Sequence, residues 1–217
     1  MDLKFEHSKY RSFFFVLLFP ALAACASAQG YVEAGRRDLI FGDPNRAVVN
    51  FSRAAEIAPD RAHFSTFPEG ALTYLGRAYY ASGRLADARR TLEDAVSRYP
   101  NDNLAKLYLG LVLAREGDRV RGLRYIEDGL RGVHEWLDYI EYRHTHSYGG
   151  FWDPNKEIRS RIRKTLAMIS SGQVDWPRLI AEAEWVGQHM EEEIDLARRD
   201  ESDERSRDGD SPSRNRR

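Results

Sequence analysis

The chain has 217 residues, of which 33 are lysine or arginine and 34 are aspartate or glutamate, so its formal net charge is −1 at pH 7. This near balance argues against bulk binding to nucleic acid, because such binding requires a concentrated basic surface. The chain contains one cysteine, so it forms no internal disulfide and its stability must come from packing. Its length is sufficient for one domain with a hydrophobic core.

The beginning of the chain divides into three zones that are typical of an export signal. Residues 1–11 are mostly polar, residues 13–19 read FFFVLLF, and residues 20–28 are small and mostly alanine. This is the layout of a secretory signal peptide. The apolar zone is too short to cross a membrane, which takes roughly 20 residues. We therefore expect residues 1–24 to be a signal peptide that does not belong to the folded domain.

The cysteine lies directly behind this apolar zone, in the sequence LAAC at 22–25. LAAC resembles the lipobox of bacterial lipoproteins. The resemblance implies that Cys25 is alkylated by a diacylglycerol and becomes the first residue of the mature chain, held in the membrane by acyl chains such as palmitate. Ala26 rather than aspartate follows, which implies an outer-membrane protein facing the periplasm. Alternatively, cleavage after ASA at 26–28 would release a soluble chain that begins at Gln29.

A spaced pattern of small and large residues occupies the segment 69–102, EGALTYLGRAYYASGRLADARRTLEDAVSRYPND. The pattern consists of Leu72, Leu75, Gly76, Tyr79, Gly83, Ala88, Leu92, Ala95 and Pro100. It resembles the tetratricopeptide repeat, a pair of antiparallel helices, although Leu72 stands where that family usually has tryptophan and Leu92 where it has an aromatic residue.

The spacing of this pattern has a physical explanation. Gly76 and Ala88 are small, so two helices can approach each other closely at those positions. Gly83 suits the turn between the helices, because glycine adopts positive φ at little cost. Pro100 ends the second helix, because it cannot donate a helical hydrogen bond.

Two further copies of the pattern flank this repeat. Residues 103–136 place Leu109, Gly110, Leu113, Gly117, Gly122, Ile126 and Gly129 at matching offsets. Residues 28–61 place Gly35, Gly42, Ala47, Phe51, Ala54 and Pro59 there, with Asp38 where an aromatic residue is expected, and the segment 62–68 separates the first copy from the second. The sequence therefore predicts an all-α helical-hairpin solenoid of about three repeats over residues 25–136. The alternative is a generic bundle of helical hairpins.

Residues 137–200 do not continue the repeat, and we expect them to form helices that cap the solenoid. Asp153 followed by Pro154 is typical of a helix start, and this helix should end near Ser170. Asp175 should begin another helix whose apolar residues share one face. Those residues are Leu179, Ile180, Ala183, Val186, Met190 and Ile194.

Charged residues dominate the end of the chain. The triplet EEE at 191–193 is expected to be a solvated helix face. Residues 201–217 contain no apolar side chain except proline. We expect this tail to be disordered, because it cannot bury enough apolar surface to offset the entropy of ordering.

The C-terminal part also holds the tryptophans and a histidine pair. The four tryptophans, at 136, 152, 176 and 185, are interpreted as packing the terminal helices onto the last repeat, and the alternative is a ligand pocket. His144 and His146 form a His-x-His pair, but no cysteine or well-placed carboxylate completes a metal site. No catalytic or cofactor-binding motif is recognisable. The sequence therefore predicts no enzyme activity, no cofactor and no bound metal.

The resemblance to the tetratricopeptide repeat implies a groove for a partner protein. In that family the first helices of successive repeats form a concave surface that holds a peptide or helix. The corresponding positions here are Arg36, Leu39, Thr73, Arg77, Tyr80, Leu107, Leu111 and Arg115. The arginines suit acidic groups on a partner. Leu107 and Leu111 are also apolar enough to pack under the terminal helices instead.

We therefore expect a lipid-anchored scaffold of the cell envelope whose partner is another envelope protein or a peptide segment, without a nucleic-acid partner. One alternative is an obligate subunit of an envelope assembly or secretion machine. The other is a small-ligand-binding protein that uses the tryptophan-rich end.

The anchor can be tested by replacing the thiol. Wild-type protein should fractionate with membranes, whereas the Cys25→Ser variant should not, because serine cannot take the lipid. Cell fractionation followed by mass spectrometry of the mature N-terminus measures both properties. Release of both proteins as soluble chains that begin at Gln29 would contradict the lipobox interpretation.

Overall fold

A computed structural model describes residues 28–58, 69–143 and 148–209, and every regular element in these ranges is helical. The helices are α1 at 28–40, α2 Pro44–Ile57, α3 Ala71–Ala81, α4 Leu85–Arg98, α5 Asn103–Arg115, α6 Arg119–Arg143, a 3-10 helix Tyr148–Phe151, α7 Glu157–Ser170 and α8 Trp176–Gly209. Predictions about the signal peptide with Cys25, the segment 62–68 and the His144/His146 pair lie outside the described residues.

The first six helices form three consecutive hairpins, one for each predicted copy of the repeat. α2 packs against α3, α3 against α4, α4 against α5 and α5 against α6, while α3 also contacts α5. Each contact joins neighbours in the chain or equivalent helices of adjacent hairpins, which is the arrangement of a solenoid. The all-α helical-hairpin architecture expected from the sequence is confirmed.

Glycines allow the two helices of each hairpin to cross closely. A Cβ atom built on Gly76 would lie 2.5 Å from Cγ of Leu92, closer than real Cβ contacts occur. The same relation joins Gly35 to Phe51 and Gly110 to Ile126. The turns repeat as well, since Gly42, Gly83 and Gly117 all have positive φ, between 77° and 95°. The spacing of small and large residues therefore encodes the helix crossing and the turn.

The buried apolar residues form two clusters. The N-terminal cluster consists of Ala28, Val32, Ala47, Val48, Phe51, Ala54, Ala71, Tyr74, Leu75 and Ala78, from α1, α2 and α3. The C-terminal cluster contains Tyr80 together with the buried apolar residues of α4, α5, α6, α7 and α8 and Trp152. The boundary between them runs through α3. Among the described residues, no side chain of α8 belongs to the N-terminal cluster.

The start of α7 differs from the prediction. Pro154 lies before the helix, which begins at Glu157 after Lys156 with φ 57°. The carboxylate of Asp153 nevertheless accepts the backbone N–H groups of Ile158 and Arg159, each at 3.0 Å. Asp153 itself has φ 44°, so the loop folds back and lets this carboxylate reach the helix from further away than an ordinary N-cap.

The last helix is held to the C-terminal cluster by an apolar face. Its fully buried residues are Leu179, Ala183, Val186, Met190, Ile194 and Ala197. Five of them were predicted to share this face, and Ile180 is half-buried beside them. Burial of a large aliphatic side chain contributes about 1.5–3 kcal/mol. The four large residues of this face therefore stabilise the position of α8 by several kcal/mol.

The end of α8 also differs from the expectation. The helix continues to Gly209, whereas disorder was expected from residue 201. Extending an existing helix costs far less than nucleating one, and the glutamates and arginines of this segment are good helix formers. Residues 210–217 lie outside the described ranges. No helix in the described part of the chain is long and apolar enough to cross a membrane.

The glycine crossing yields a matched pair of substitutions. Gly76→Ala should lower the free energy of unfolding, because the new methyl group collides with buried Leu92 and overpacking costs about 1–3 kcal/mol. Gly30→Ala on α1 meets nothing within 4 Å and should leave stability unchanged or raise it. Urea unfolding of both variants measures the difference. Equal midpoints would contradict the assigned crossing.

Candidate functional site

The predicted groove residues lie on neighbouring first helices of the three hairpins, but most of them are covered. Arg36, Thr73, Arg77, Tyr80, Leu107 and Leu111 are buried, Leu39 is half-buried and Arg115 is exposed. The chain's own helix α8 lies against this surface and makes polar contacts with residues of α1, α3 and α5. The surface expected to be open for a partner is therefore largely filled from within the molecule.

A polar face of α8 points toward the groove. Glu184, Gly187, Glu191 and Asp195 follow one another at intervals of three or four residues, so they share one side of the helix. Gly187 passes close to α5, since a Cβ on it would lie 2.5 Å from the hydroxyl oxygen of Tyr108. Only glycine therefore lets α8 approach the groove at this depth without a shift of Tyr108.

At the inner end of the groove, Glu191 binds arginines from two different hairpins. Nε of Arg36 donates to its Oε1, and Nη1 of Arg77 lies 2.7 Å from its Oε2. All three side chains are buried. Nη2 of Arg36 also lies 2.8 Å from Oδ1 of Asp195. These contacts connect α8 to the first two hairpins.

Both arginines also bind the main chain of α8. Nη2 of Arg77 donates to the carbonyl oxygen of Gly187 at 3.2 Å, and Nη2 of Arg36 donates to that of Glu191 at 3.3 Å. Burial alone would lower the pKa of Arg77, but the neighbouring carboxylates of Glu191 and Glu69 raise it well above its usual value. Arg77 therefore stays charged and recognises both the side chain and the backbone of the helix.

Glu69 is a second carboxylate on Arg77. Its Oε1 lies 2.7 Å from Nη1 of Arg77, and the residue is fully buried just before α3. Burial raises the pKa of Glu69 from 4.5 to about 7, although Arg77 opposes the change. Glu191 raises it further because a like charge lies nearby. The inner groove therefore holds a carboxyl group that titrates near neutral pH.

Thr73 has a structural role at the base of α3 and α5. Its hydroxyl donates to Oδ2 of Asp102 at 2.5 Å, while Oδ1 of Asp102 accepts the backbone N–H of Ala105 at 2.9 Å. Asp102 thereby caps α5 and ties it to α3. Leu107 and Leu111 are fully buried in the C-terminal cluster, to which the apolar face of α8 also belongs. These three predicted groove residues are thus occupied by packing within the chain.

A cleft remains open at the outer end of the groove. Its volume is about 390 Å³, and it is lined by Leu39, Ile40, Arg77, Tyr80, Ala81, Tyr108, Arg115, Glu184, Gln188, Glu191 and Glu192. α1 contributes one side through Leu39 and Ile40, and α8 contributes residues from Glu184 to Glu192. Four predicted groove residues, Leu39, Arg77, Tyr80 and Arg115, therefore do meet at one open site. We call this site the outer cleft.

Aromatic rings from α3 and α5 line the outer cleft. Tyr80 and Tyr108 pack edge to face, with ring centroids 5.6 Å apart. The guanidinium of Arg115 lies 4.6 Å from the ring centroid of Tyr80 and pairs with Glu184, which also accepts the hydroxyl of Tyr80. On the α1 side, Ile40 is 48% exposed and the adjoining Phe41 is 83% exposed. Apolar surface is therefore available at the edge of the cleft.

The tryptophans of the C-terminal part lie in different places. Trp136 and Trp152 pack edge to face at 4.7 Å, where α6 meets the loop after the 3-10 helix. Trp185 stacks on His189 of the same helix, and the Trp176 ring lies under Arg119 at 5.2 Å. This distribution supports a capping role for the terminal helices. Within the described ranges, no three His, Cys, Asp or Glu side chains are grouped as metal ligands would be.

Sequence reasoning missed the role of the acidic residues. The triplet at 191–193 was expected to be solvated, but Glu191 and Glu193 are buried and only Glu192 is exposed. Glu193 accepts the backbone N–H of Asp153 at 2.6 Å. The sequence did contain a signal for this contact between α8 and the groove. Glu184, Gly187 and Glu191 form a second stripe on α8, beside the apolar residues.

The repeat region matches a known protein family. Residues 39–110 match the tetratricopeptide repeat. The matched segment begins at the end of α1 and extends through α2, α3 and α4 into α5, so it includes both tyrosines of the outer cleft. No curated protein matches the chain.

The raised pKa of Glu69 gives a pH-dependent stability. A carboxyl group whose pKa is higher in the folded state stabilises the fold only while it is protonated, so this contribution is lost as pH rises from 4.5 through about 7. The free energy of unfolding of wild type should therefore fall relative to that of Glu69→Gln between pH 5 and pH 8.

Urea unfolding at intervals across this pH range measures the effect. Glu93→Gln, at an exposed position on α4, is the matched control and should follow the wild-type profile. Parallel profiles for wild type and Glu69→Gln would show that Glu69 does not titrate in this range.

Proposed function

We propose that this protein is a lipid-anchored interaction scaffold of the cell envelope, tethered through Cys25 and facing the periplasm. The repeat match supports the interaction role, because tetratricopeptide repeats are modules that bind other proteins or peptides. The sequence LAAC behind an apolar zone supports the anchor. The partner is a segment of another envelope protein.

The observation that carries this proposal is the outer cleft. α8 fills the inner groove, yet the cleft remains, with Leu39 and Ile40 of α1 on one side and Tyr80 and Tyr108 among its lining residues. Tyrosine-rich pockets next to apolar surface are typical centres of binding energy in protein interfaces. The volume of about 390 Å³ holds a few side chains of a partner segment.

The role that we propose is binding rather than catalysis. Both arginines that line the outer cleft are engaged with carboxylates: Arg115 pairs with Glu184, and Arg77 pairs with Glu191 and with Glu69 beneath the cleft. Such mutual pairing orients side chains for recognition and leaves little freedom for proton transfer to a substrate. The alternative role, an obligate subunit of an envelope assembly, uses the same binding site and differs only in that the partner is permanent.

Site-specific photocrosslinking tests the proposal in intact cells. A benzophenone amino acid placed at Ile40, beside the cleft, should crosslink a discrete envelope protein. The matched control is the same amino acid at Val49, an exposed apolar position on α2 that does not line the cleft. Tyr80→Ala should reduce the Ile40 crosslink at least several-fold, because it removes the Tyr80 ring from the cleft.

The measured quantity is the crosslinking yield at Ile40 compared with that at Val49. Equal crosslinking from Ile40 and Val49 would place the binding surface elsewhere. So would an Ile40 crosslink whose yield is the same in the Tyr80→Ala variant as in wild type.

A further inference from the structure

α8 is held on its two sides by different forces. One face packs six fully buried apolar residues, from Leu179 to Ala197, into the C-terminal cluster. The adjacent side meets the first two hairpins through ionic and hydrogen-bonding contacts, chiefly those of Glu191 and Asp195 with Arg36 and Arg77. In the part of the chain that the structure describes, no α8 side chain joins the N-terminal cluster. We call this second side the ionic seam.

The ionic seam is the weaker of the two sides. The cost of removing buried charges from water offsets most of their mutual attraction, so buried ion pairs add little net stability. Nε of Arg77 and Oε2 of both Glu69 and Glu191 are moreover buried without a hydrogen-bond partner among the described residues, so Oε2 of Glu191 meets Arg77 through an ion pair alone. The apolar face of α8 carries no such cost of removing charges from water. Separation should therefore occur between α8 and the first hairpin rather than between α8 and the C-terminal cluster.

The position of the seam links it to the outer cleft. Arg36 lies one helical turn before Leu39 and Ile40, which line the cleft from α1. Glu191 itself lines the cleft and lies one turn after Gln188, another lining residue on α8. Opening the seam therefore moves the α1 and α8 sides of the cleft apart, and it exposes Arg36.

We propose that the first hairpin opens from α8 along the ionic seam, and that an acidic segment of the partner replaces Glu191 and Asp195 on Arg36, while Arg77 keeps its contacts with α8. This inference rests on the proposed function, since it names the chemistry of the segment that the outer cleft receives. The segment carries two carboxylates about one helical turn apart, as Glu191 and Asp195 do on α8.

α8 shows what the arginines recognise. Each arginine binds a carboxylate and a main-chain carbonyl of the same helix: Arg77 binds Glu191 and the carbonyl of Gly187, and Arg36 binds Glu191 through both its side chain and its carbonyl. A neutral or basic segment would leave buried Arg36 with only half-buried Glu33, at 3.3 Å, as its counter-charge, which is unfavourable. Charge complementarity therefore selects an acidic helix over other peptides.

Distance measurements between spin labels test the opening. Cysteines at Val49 on α2 and Ala181 on α8, in the chain carrying Cys25→Ser, report on the seam. Cysteines at Ala167 on α7 and Ala181 report on the apolar side of α8. All three positions are exposed. The probe is a synthetic peptide with the sequence of residues 180–197, and its control peptide has Gln and Asn in place of Glu191 and Asp195.

The acidic peptide should lengthen the Val49–Ala181 distance and leave the Ala167–Ala181 distance unchanged. The control peptide should bind at least ten-fold more weakly and produce no lengthening. An unchanged Val49–Ala181 distance at saturating peptide would overturn the proposal. So would a longer Ala167–Ala181 distance, because it would show that α8 itself had left the C-terminal cluster.

Variants of the chain give a second measurement. Glu191→Gln combined with Asp195→Asn removes the internal competitors, so this chain should bind the acidic peptide at least ten-fold more tightly than wild type does. Glu93→Gln, at an exposed position on α4 that does not line the outer cleft, is the matched control and should bind as wild type does. Circular dichroism establishes that each variant is folded. Equal affinity of the three folded chains would overturn the proposal.

Competition separates this inference from the proposed function. If the Ile40 crosslink forms and the acidic peptide suppresses it while the control peptide does not, both are supported. If the crosslink forms and neither peptide suppresses it, the scaffold function stands and the acidic partner is wrong. If the peptide opens the seam but no crosslink forms at Ile40, the opening is supported and the proposed function fails.

Discussion

Glu191 is bound by arginines that come from different hairpins of the solenoid, and the relation of α8 to the first two hairpins depends on this contact. Arg36 and Arg77 occupy equivalent positions in the first and second repeats, so their side chains reach the same region of the groove. One carboxylate from the far end of the chain lies between them. The terminal helix therefore both packs against the last hairpin and occupies the inner groove.

This occupation divides the groove into a closed part and an open part. In the closed part, Arg36 is charged but already paired, and Thr73, Leu107 and Leu111 are used in packing. In the open part, Leu39, Tyr80 and Arg115 are joined by Ile40 and Tyr108. Under the proposed function, recognition of a partner begins at the outer cleft, and any use of Arg36 requires a change in the contacts of α8.

Much of the fold could be predicted because its determinants are local. The contact between Gly76 and Leu92 lies within one hairpin, and the small–large spacing in the sequence reports it directly. The apolar stripe of α8 follows from the period of one helix in the same way. The boundary at residue 201 was less predictable, because low apolar content excludes burial but does not exclude the continuation of an existing helix to Gly209.

The sequence by itself determined the hairpins, their turns and the positions that face the groove, because these depend on spacing within one or two helices. It also indicated that the arginines of the groove suit acidic groups. Only the tertiary structure decided which acidic groups those are, since Arg36 and Glu191 are 155 residues apart in the chain. Helical periodicity specifies the face on which a side chain lies, but the packing of α8 across the solenoid specifies which charge it meets.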